Sequence, residues 1–194
     1  YSPDRKGERP RRHLASFSGV LQADGYAGFE RLYGETVQEA ACWAHVRRKF
    51  YDLHKATDSP TAGEALARIG ERYEIEAQIR GKQPDERRQL RQARAGRQLT
   101  ELRAWLGSTL TKIPTKSELA VAIRYALTRW AALTRYAEDG RVEIDNNAAE
   151  RAIRALVLGR RNYLFAGSDA GGETAARLYS LIGTCRLNGI DPHL

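Results

Sequence analysis

The hydrophobic pattern of this chain changes near residue 59, and that change limits the fold more than any other feature. Residues 18–23 and 36–43 are short apolar runs, the first of which is closed by the turn signal Asp24-Gly25. Such runs predict buried β-strands. Helical spacing of apolar residues begins at residues 44–56 and dominates residues 59–139. The pattern predicts an α/β fold with an all-helical insertion.

Three sets of apolar residues at helical spacing predict the helices of the insertion. The sets are Leu66, Ile69 and Tyr73; Leu90, Leu99, Leu102 and Leu106; and Leu119, Ile123, Ala126, Leu127 and Trp130. We also expect a basic helix at residues 8–16, a brief strand at 141–144, and a final helix at 173–187 that ends at Asn188-Gly189. The predicted parts are therefore residues 1–58, 59–139 and 140–194.

Composition favours a globular protein with a polyanionic partner. Hydrophobic residues make up 42% of the 194 positions, and the net charge is +8. An excess of this size is common in proteins that bind nucleic acid. Two cysteines are too few for a disulfide framework, which favours the cytoplasm. We find neither an apolar stretch of about 20 residues, as a membrane span requires, nor a secretion signal. Both chain ends, and the absence of methionine, suggest part of a longer protein.

Glu150 is the first candidate for chemistry. It lies on a short amphipathic segment among Asn146, Arg151 and Arg154, with Arg160 and Arg161 further along. A carboxylate among amides and arginines suits a metal-dependent site that acts on phosphodiesters.

A structural interpretation of Glu150 is also open. With Asn147 as N-cap, Glu150 would close a capping box and could pair with Arg154 at i+4. In either case we expect one face of this helix to be buried. Its residues are Ala149, Ala152, Ile153 and Leu156.

Asp24 is the second candidate. An aspartate before a glycine commonly forms only a turn. Yet the carboxyl end of a buried strand is where α/β sheets place ligand and metal sites. Asp24 and Glu150 lie far apart in the chain, so spacing alone does not bring them together.

Basic side chains supply possible DNA contacts at three further places. Arg47 and Arg48 follow a Cys42-x-x-His45 pair, which lacks the second pair that a zinc site needs and is interpreted as structural. The run at residues 87–97 lines arginines along one helix face, where contacts to DNA and pairing with local acids are both open. Residues 162–172 predict a glycine-rich loop without the lysine of a phosphate-binding P-loop.

Several segments, taken in order, resemble one known family. They are LQADGYAGF, CWAHVRRKF, a helical stretch, IDNNAAERAIRALVLGRRNYLFAGSDAGG and LYSLIGTCRLNGIDP. Together they resemble the central domain of the insertion sequence 66 family of bacterial transposases, over nearly the whole chain. The two blocks DNNAAERAIR and GRRNYLFAGS are the most specific.

The resemblance implies a ribonuclease-H-like core whose Asp-Asp-Glu triad holds two divalent ions, Mg²⁺ or alternatively Mn²⁺. By position, Asp24 would be the second acid and Glu150 the third. The ions would activate water, and then a 3′-hydroxyl, for in-line attack on DNA. The resemblance also implies DNA ends and target DNA as partners and a homo-oligomer on DNA.

One departure from the family concerns the first aspartate. In the family it lies on a strand before the equivalent of Tyr1, and the turn residue Asp4 does not match it. We therefore expect the core to lack its first strands and this chain alone to be catalytically incomplete. Two alternatives are a non-catalytic DNA-binding remnant of a degraded element and a helical interaction module.

Overall fold

A computed structural model describes residues 2, 4, 6–159 and 167–192. The chain forms two compact units. One is Ser16–Asn146, and the other combines Tyr1–Ala15 with Asn147–Leu194. Within the described residues, no helix is both long and apolar enough to cross a bilayer.

A two-stranded parallel sheet lies in the unit Ser16–Asn146. Strand β1 (Gly19–Ala23) pairs with β2 (Val37–Ala41), with Gly19 opposite Val37 and Ala23 opposite Ala41. A short 3-10 helix, Ala27–Leu32, lies in the connection between them. Both strands were predicted, and both are confirmed within one or two residues.

Five helices follow the sheet in this unit. They are α2 (Trp43–Thr57), α3 (Pro60–Ile79), α4 (Pro84–Leu110), α5 (Glu118–Thr128) and α6 (Trp130–Glu138). Ser59 and Ser117 cap α3 and α5, because their hydroxyls accept the N–H groups of Ala62 and Ala120. The predicted helices are therefore present, and the fold is mainly helical with a small parallel sheet.

The third predicted helix of the insertion is in fact two helices. The chain leaves helical geometry at Arg129 (φ −102°, ψ 16°), between α5 and α6. This break directs the Arg129 side chain to Glu39 on β2. It also seats Trp130 edge-to-face against Trp43, with ring centroids 5.8 Å apart. Apolar spacing alone did not reveal the break, because the spacing continues across it.

One hydrophobic core joins the sheet to all five helices of this unit. Trp43 and Phe50 of α2 are fully buried at its centre, together with Ile123 of α5 and Leu133 of α6. The Trp43 indole N–H donates to the Leu133 carbonyl at 2.8 Å. Because the sheet shares this core with the inserted helices, burial of its apolar residues depends on them.

Residues 141–144 do not form the predicted strand. Val142 and Ile144 are buried, as a strand pattern requires, but each carbonyl accepts an isolated donor. Arg91 binds the Val142 carbonyl at 2.9 Å, and the Trp43 backbone N–H binds that of Ile144 at 3.1 Å. A side chain and the first backbone N–H of α2 therefore bind these carbonyls, and the segment forms no strand-to-strand hydrogen bonds with described residues.

The other unit contains α1 (Glu8–His13), α7 (Asn147–Gly159) and α8 (Asp169–Leu187). Helix α8 ends as predicted: the Ile190 N–H bonds the Cys185 carbonyl at 2.9 Å, and Gly189 has φ +68°.

The prediction that one face of α7 is buried is wrong. All four of its residues are exposed: Ala149, Ala152, Ile153 and Leu156. The pattern is amphipathic as expected, but no described part of the chain covers that face.

Candidate functional site

The first candidate residues lie at the carboxyl edge of the parallel sheet. Asp24 directly follows β1, and Cys42 directly follows β2 and precedes α2. Asp24 is exposed, and its Oδ1 accepts the Tyr26 N–H at 3.2 Å. Gly25 between them has φ +82°, a conformation that favours glycine. The turn therefore presents a carboxylate to solvent at the edge where α/β sheets bind ligands.

A charged and aromatic cluster lies beside Asp24. Arg129 forms an ion pair with Glu39, and each of these side chains is one-fifth exposed. Burial raises the pKa of Tyr33 to about 12, with Glu39 and Asp24 adding to the shift and Arg129 opposing it. Burial also raises the pKa of Tyr125. Both tyrosines therefore stay neutral near neutral pH.

The Cys42 side chain lies in the protein interior, as the structural interpretation expects. Its thiol is buried, and burial raises its pKa against the opposing effect of nearby backbone N–H groups.

The basic residues of α2 face solvent. Arg47, Arg48 and Lys49 are exposed, and none forms an ion pair with an acid in the described part of the chain. The Lys49 ammonium lies 4.6 Å from the centre of the Tyr125 ring. Exposed cations that form no ion pair are available to a polyanion.

The arginine run at residues 87–97 is engaged by other protein groups. Arg87 binds Glu143 through two 2.8 Å hydrogen bonds, and Arg91 is buried against Glu76. Arg94 donates to Gln78 at 2.6 Å. Of the two interpretations left open, pairing with local groups is the one these contacts support.

The candidates near Glu150 fall on or next to α7. The helix begins at Asn147, so Asn147 lies inside it and Glu150 is its fourth residue. Glu150, Arg151 and Arg154 are exposed.

Asn146 precedes the helix and keeps a buried Oδ1 without a hydrogen-bond partner among the described atoms. Arg160 and Arg161, with residues 162–166 of the predicted loop at 162–172, lie outside the described residues. Asp24 and Glu150 belong to different units, so their convergence stays a prediction.

Sequence reasoning missed Glu39 and Arg129. Glu39 lies in a strand and Arg129 in a stretch of helical spacing, so neither carries a motif. The interruption of the helix is the only signal at Arg129, and it becomes visible only in three dimensions.

Comparison with known proteins decides the family. The family model described as "Transposase IS66 family" matches residues 1–174. The chain belongs to this transposase family.

Its relatives include three proteins of Sinorhizobium fredii that carry no functional name: y4qI, y4jD and y4hP, which are 46%, 40% and 42% identical to the chain. The alignments cover 93%, 100% and 98% of the chain but only 35%, 39% and 38% of those proteins. The chain thus spans less than two-fifths of their length. No solved structure matches.

Proposed function

We propose that this chain is part of the catalytic core of a DNA transposase that cleaves and joins phosphodiesters with divalent metal ions. Family membership supports a transposase-related role. The observation that carries the catalytic part is the exposed Asp24 carboxylate at the carboxyl edge of the sheet. Helix α2, whose cations form no ion pair in the described chain, begins at the same edge.

The donor set fits a hard divalent cation. Mg²⁺ prefers carboxylate oxygen and keeps several waters, so an exposed carboxylate suits it. Among the described residues, the Asp24 carboxylate forms no ion pair, and its Oδ1 accepts the Tyr26 N–H. Asp24 and Glu150 would hold the metal, which when bound supplies positive charge to the attacking and leaving oxygens.

The open edge of β1 supports the proposal of a ribonuclease-H-like core with further strands. The Gly19 N–H donates to the Thr36 carbonyl at 2.8 Å, so Gly19, Leu21 and Ala23 face β2. Val20 and Gln22 therefore direct their backbone groups to the other edge. In the described part of the chain β1 pairs with β2 alone.

Parallel strands are normally buried within larger sheets, and an open edge is a site for strand pairing. The β2 edge is already covered, because the Glu39 carbonyl accepts the Arg135 Nε–H at 2.7 Å. An additional strand would thus pair with β1, and we propose that it carries the first aspartate. The exposed apolar face of α7 fits a core completed in this way.

The remaining roles follow from charge. Arg47 and Arg48 on α2, with Arg151 and Arg154 on α7, are proposed to hold DNA phosphates, which fixes the position of a strand without reading its sequence. Asn146, Arg160 and Arg161 are assigned the same role. A homo-oligomer assembled on DNA remains part of the proposal.

DNA binding is tested by the salt dependence of affinity for duplex. Arg47→Ala and Arg48→Ala should each weaken binding and lower the salt slope by about one unit for every phosphate that the variant no longer binds. Arg97→Ala is the matched control, because Arg97 is exposed but paired with Glu101 at 2.7 Å. An equal loss in the control would show that only net charge matters.

Catalysis is tested by Mg²⁺-dependent nicking in a longer polypeptide that supplies the region before residue 1. Asp24→Asn and Glu150→Gln should abolish nicking while DNA affinity is retained. Asp52→Asn, at an exposed acid of α2, is the control. Salt-sensitive binding with no nicking in the unsubstituted polypeptide would instead support the non-catalytic remnant.

A further inference from the structure

Arg129 connects the inserted helices to the turn that carries Asp24. We propose that Arg129 is a positioning residue, which holds the Asp24-Gly25 turn in the conformation that presents the Asp24 carboxylate. The inference rests on the proposed function, since it assigns Arg129 a purpose at the same site.

The guanidinium of Arg129 lies directly against Gly25. A Cβ placed on Gly25 would be 3.1 Å from Arg129 Cζ, 3.2 Å from Nη1 and 3.3 Å from Nη2. All three atoms are nearly equidistant, so the flat face of the guanidinium covers the Cα of Gly25. A planar group can cover a glycine in this way, whereas the tetrahedral ammonium of lysine cannot.

Arg129 is itself fixed by β2. It forms an ion pair with the Glu39 carboxylate, and the Glu39 carbonyl accepts the Arg135 Nε–H at 2.7 Å. Arg135 also donates to the Gln38 side chain at 2.6 Å. Two arginines from the α5–α6 region therefore bind the same segment of β2, and the ion pair with Glu39 holds the Arg129 guanidinium in place.

Without the Arg129 contact, the backbone of the Asp24-Gly25 turn would have more conformational freedom than most turns. Gly25 populates positive and negative φ with similar ease, and here φ is +82°. Within the turn, the Tyr26 N–H donates to Asp24 Oδ1 at 3.2 Å. Without Arg129 the turn would sample more conformations, and a smaller fraction of molecules would hold Asp24 in the conformation that binds a metal.

The first experiment measures Mn²⁺ broadening of the Gly25 and Tyr26 amide signals by NMR in this chain. Arg129→Lys should raise the Mn²⁺ midpoint by about three- to tenfold, because apparent affinity falls with the fraction of competent molecules. Arg124→Ala is the matched control: Arg124 is on α5 and donates to the Thr115 carbonyl at 2.6 Å, away from the sheet. An unchanged midpoint in Arg129→Lys would overturn the proposal.

The second experiment separates this inference from the proposed function. If Asp24→Asn leaves Mn²⁺ broadening unchanged, Asp24 is not a ligand and the catalytic proposal fails. Hydrogen exchange of the Tyr26 amide still tests the positioning role. Faster exchange in Arg129→Lys, at unchanged melting temperature, supports it. Exchange equal to that of the unsubstituted chain refutes it.

Discussion

The buried ion pair between Arg91 and Glu76 provides the most demanding test of the described fold. Arg91 is wholly buried, and its Nε and Nη2 donate to the two carboxylate oxygens of Glu76 at 2.8 and 2.7 Å. Its Nη1 donates to the carbonyls of Tyr136, Asp139 and Val142 at 2.7, 3.2 and 2.9 Å. One side chain therefore joins α3, α4 and the end of α6.

Arg91→Met removes all of these bonds while it keeps most of the apolar volume. Loss of one partner of a buried, hydrogen-bonded pair costs about 3–5 kcal/mol, because the other charge stays buried without compensation. Arg87 lies 3.6 Å from Glu76 and compensates part of that charge. The three carbonyls lose their hydrogen-bond donor, which adds to the cost in stability. We therefore expect a loss of about 4 kcal/mol in the free energy of unfolding.

The assay is urea unfolding at pH 7, followed by tryptophan fluorescence. All three tryptophans lie in the unit Ser16–Asn146, so the signal reports that unit. Arg97→Ala is a control on the same helix with the same 2.7 Å distance to a glutamate, but its side chain is 88% exposed. It should cost at most about 0.5 kcal/mol. A loss below about 1 kcal/mol for Arg91→Met would refute the reasoning, since a pair buried as described should cost several times more.

Two further predictions concern stability. Hydrogen bonds from Arg141 lower the pKa of Asp139 to about 2 from 3.8. The ionised Asp139 carboxylate thus stabilises the folded protein above pH 3.8. After allowance for solvent screening of Arg141, about 1 kcal/mol of the free energy of unfolding should be lost as the pH falls toward 2. Asp139→Asn should remove this loss in acid titrations of unfolding. Gly140→Ala would place a Cβ 1.7 Å from the Pro84 carbonyl oxygen and should cost about 1–3 kcal/mol. Gly96→Ala, with nothing within 4 Å, should instead stabilise α4 by about 0.5–1 kcal/mol. Thermal shifts of equal sign for the two variants would contradict one of these predictions.

Local periodicity was enough to predict most of the secondary structure. The strands at residues 18–23 and 36–43 and the helices of the insertion were all expected, because burial of an apolar stripe leaves a period in the sequence. The break at Arg129 and the missing strand at residues 141–144 were not. Both depend on a distant partner, Glu39 in one case and Arg91 in the other, and local patterns carry no record of distant partners.

For the candidate site, too, local features were predictable from the sequence and distant contacts were not. Asp24 was identified because a carboxylate after an apolar run has a local signature, and the structure places it at the expected edge of the sheet. The arginines at residues 87–97 looked equally suited to DNA in sequence. Their acid and amide partners lie on other segments, Glu76 and Glu143 among them, so only the fold reveals that their charge is already used.

The inserted helices are a structural requirement of the segment that leads into α7. Backbone or side-chain groups of Val142, Glu143, Ile144 and Asp145 are each held by a different partner: Arg91, Arg87, the Trp43 N–H and the Tyr73 hydroxyl. Three of these partners, Tyr73, Arg87 and Arg91, lie on inserted helices α3 and α4. Removal of the insertion would therefore free the chain just before Glu150, besides exposing Trp43 and Phe50. The proposed metal ligand Glu150 lies on the helix that follows, and α3 and α4 provide most of the contacts that anchor the segment before it.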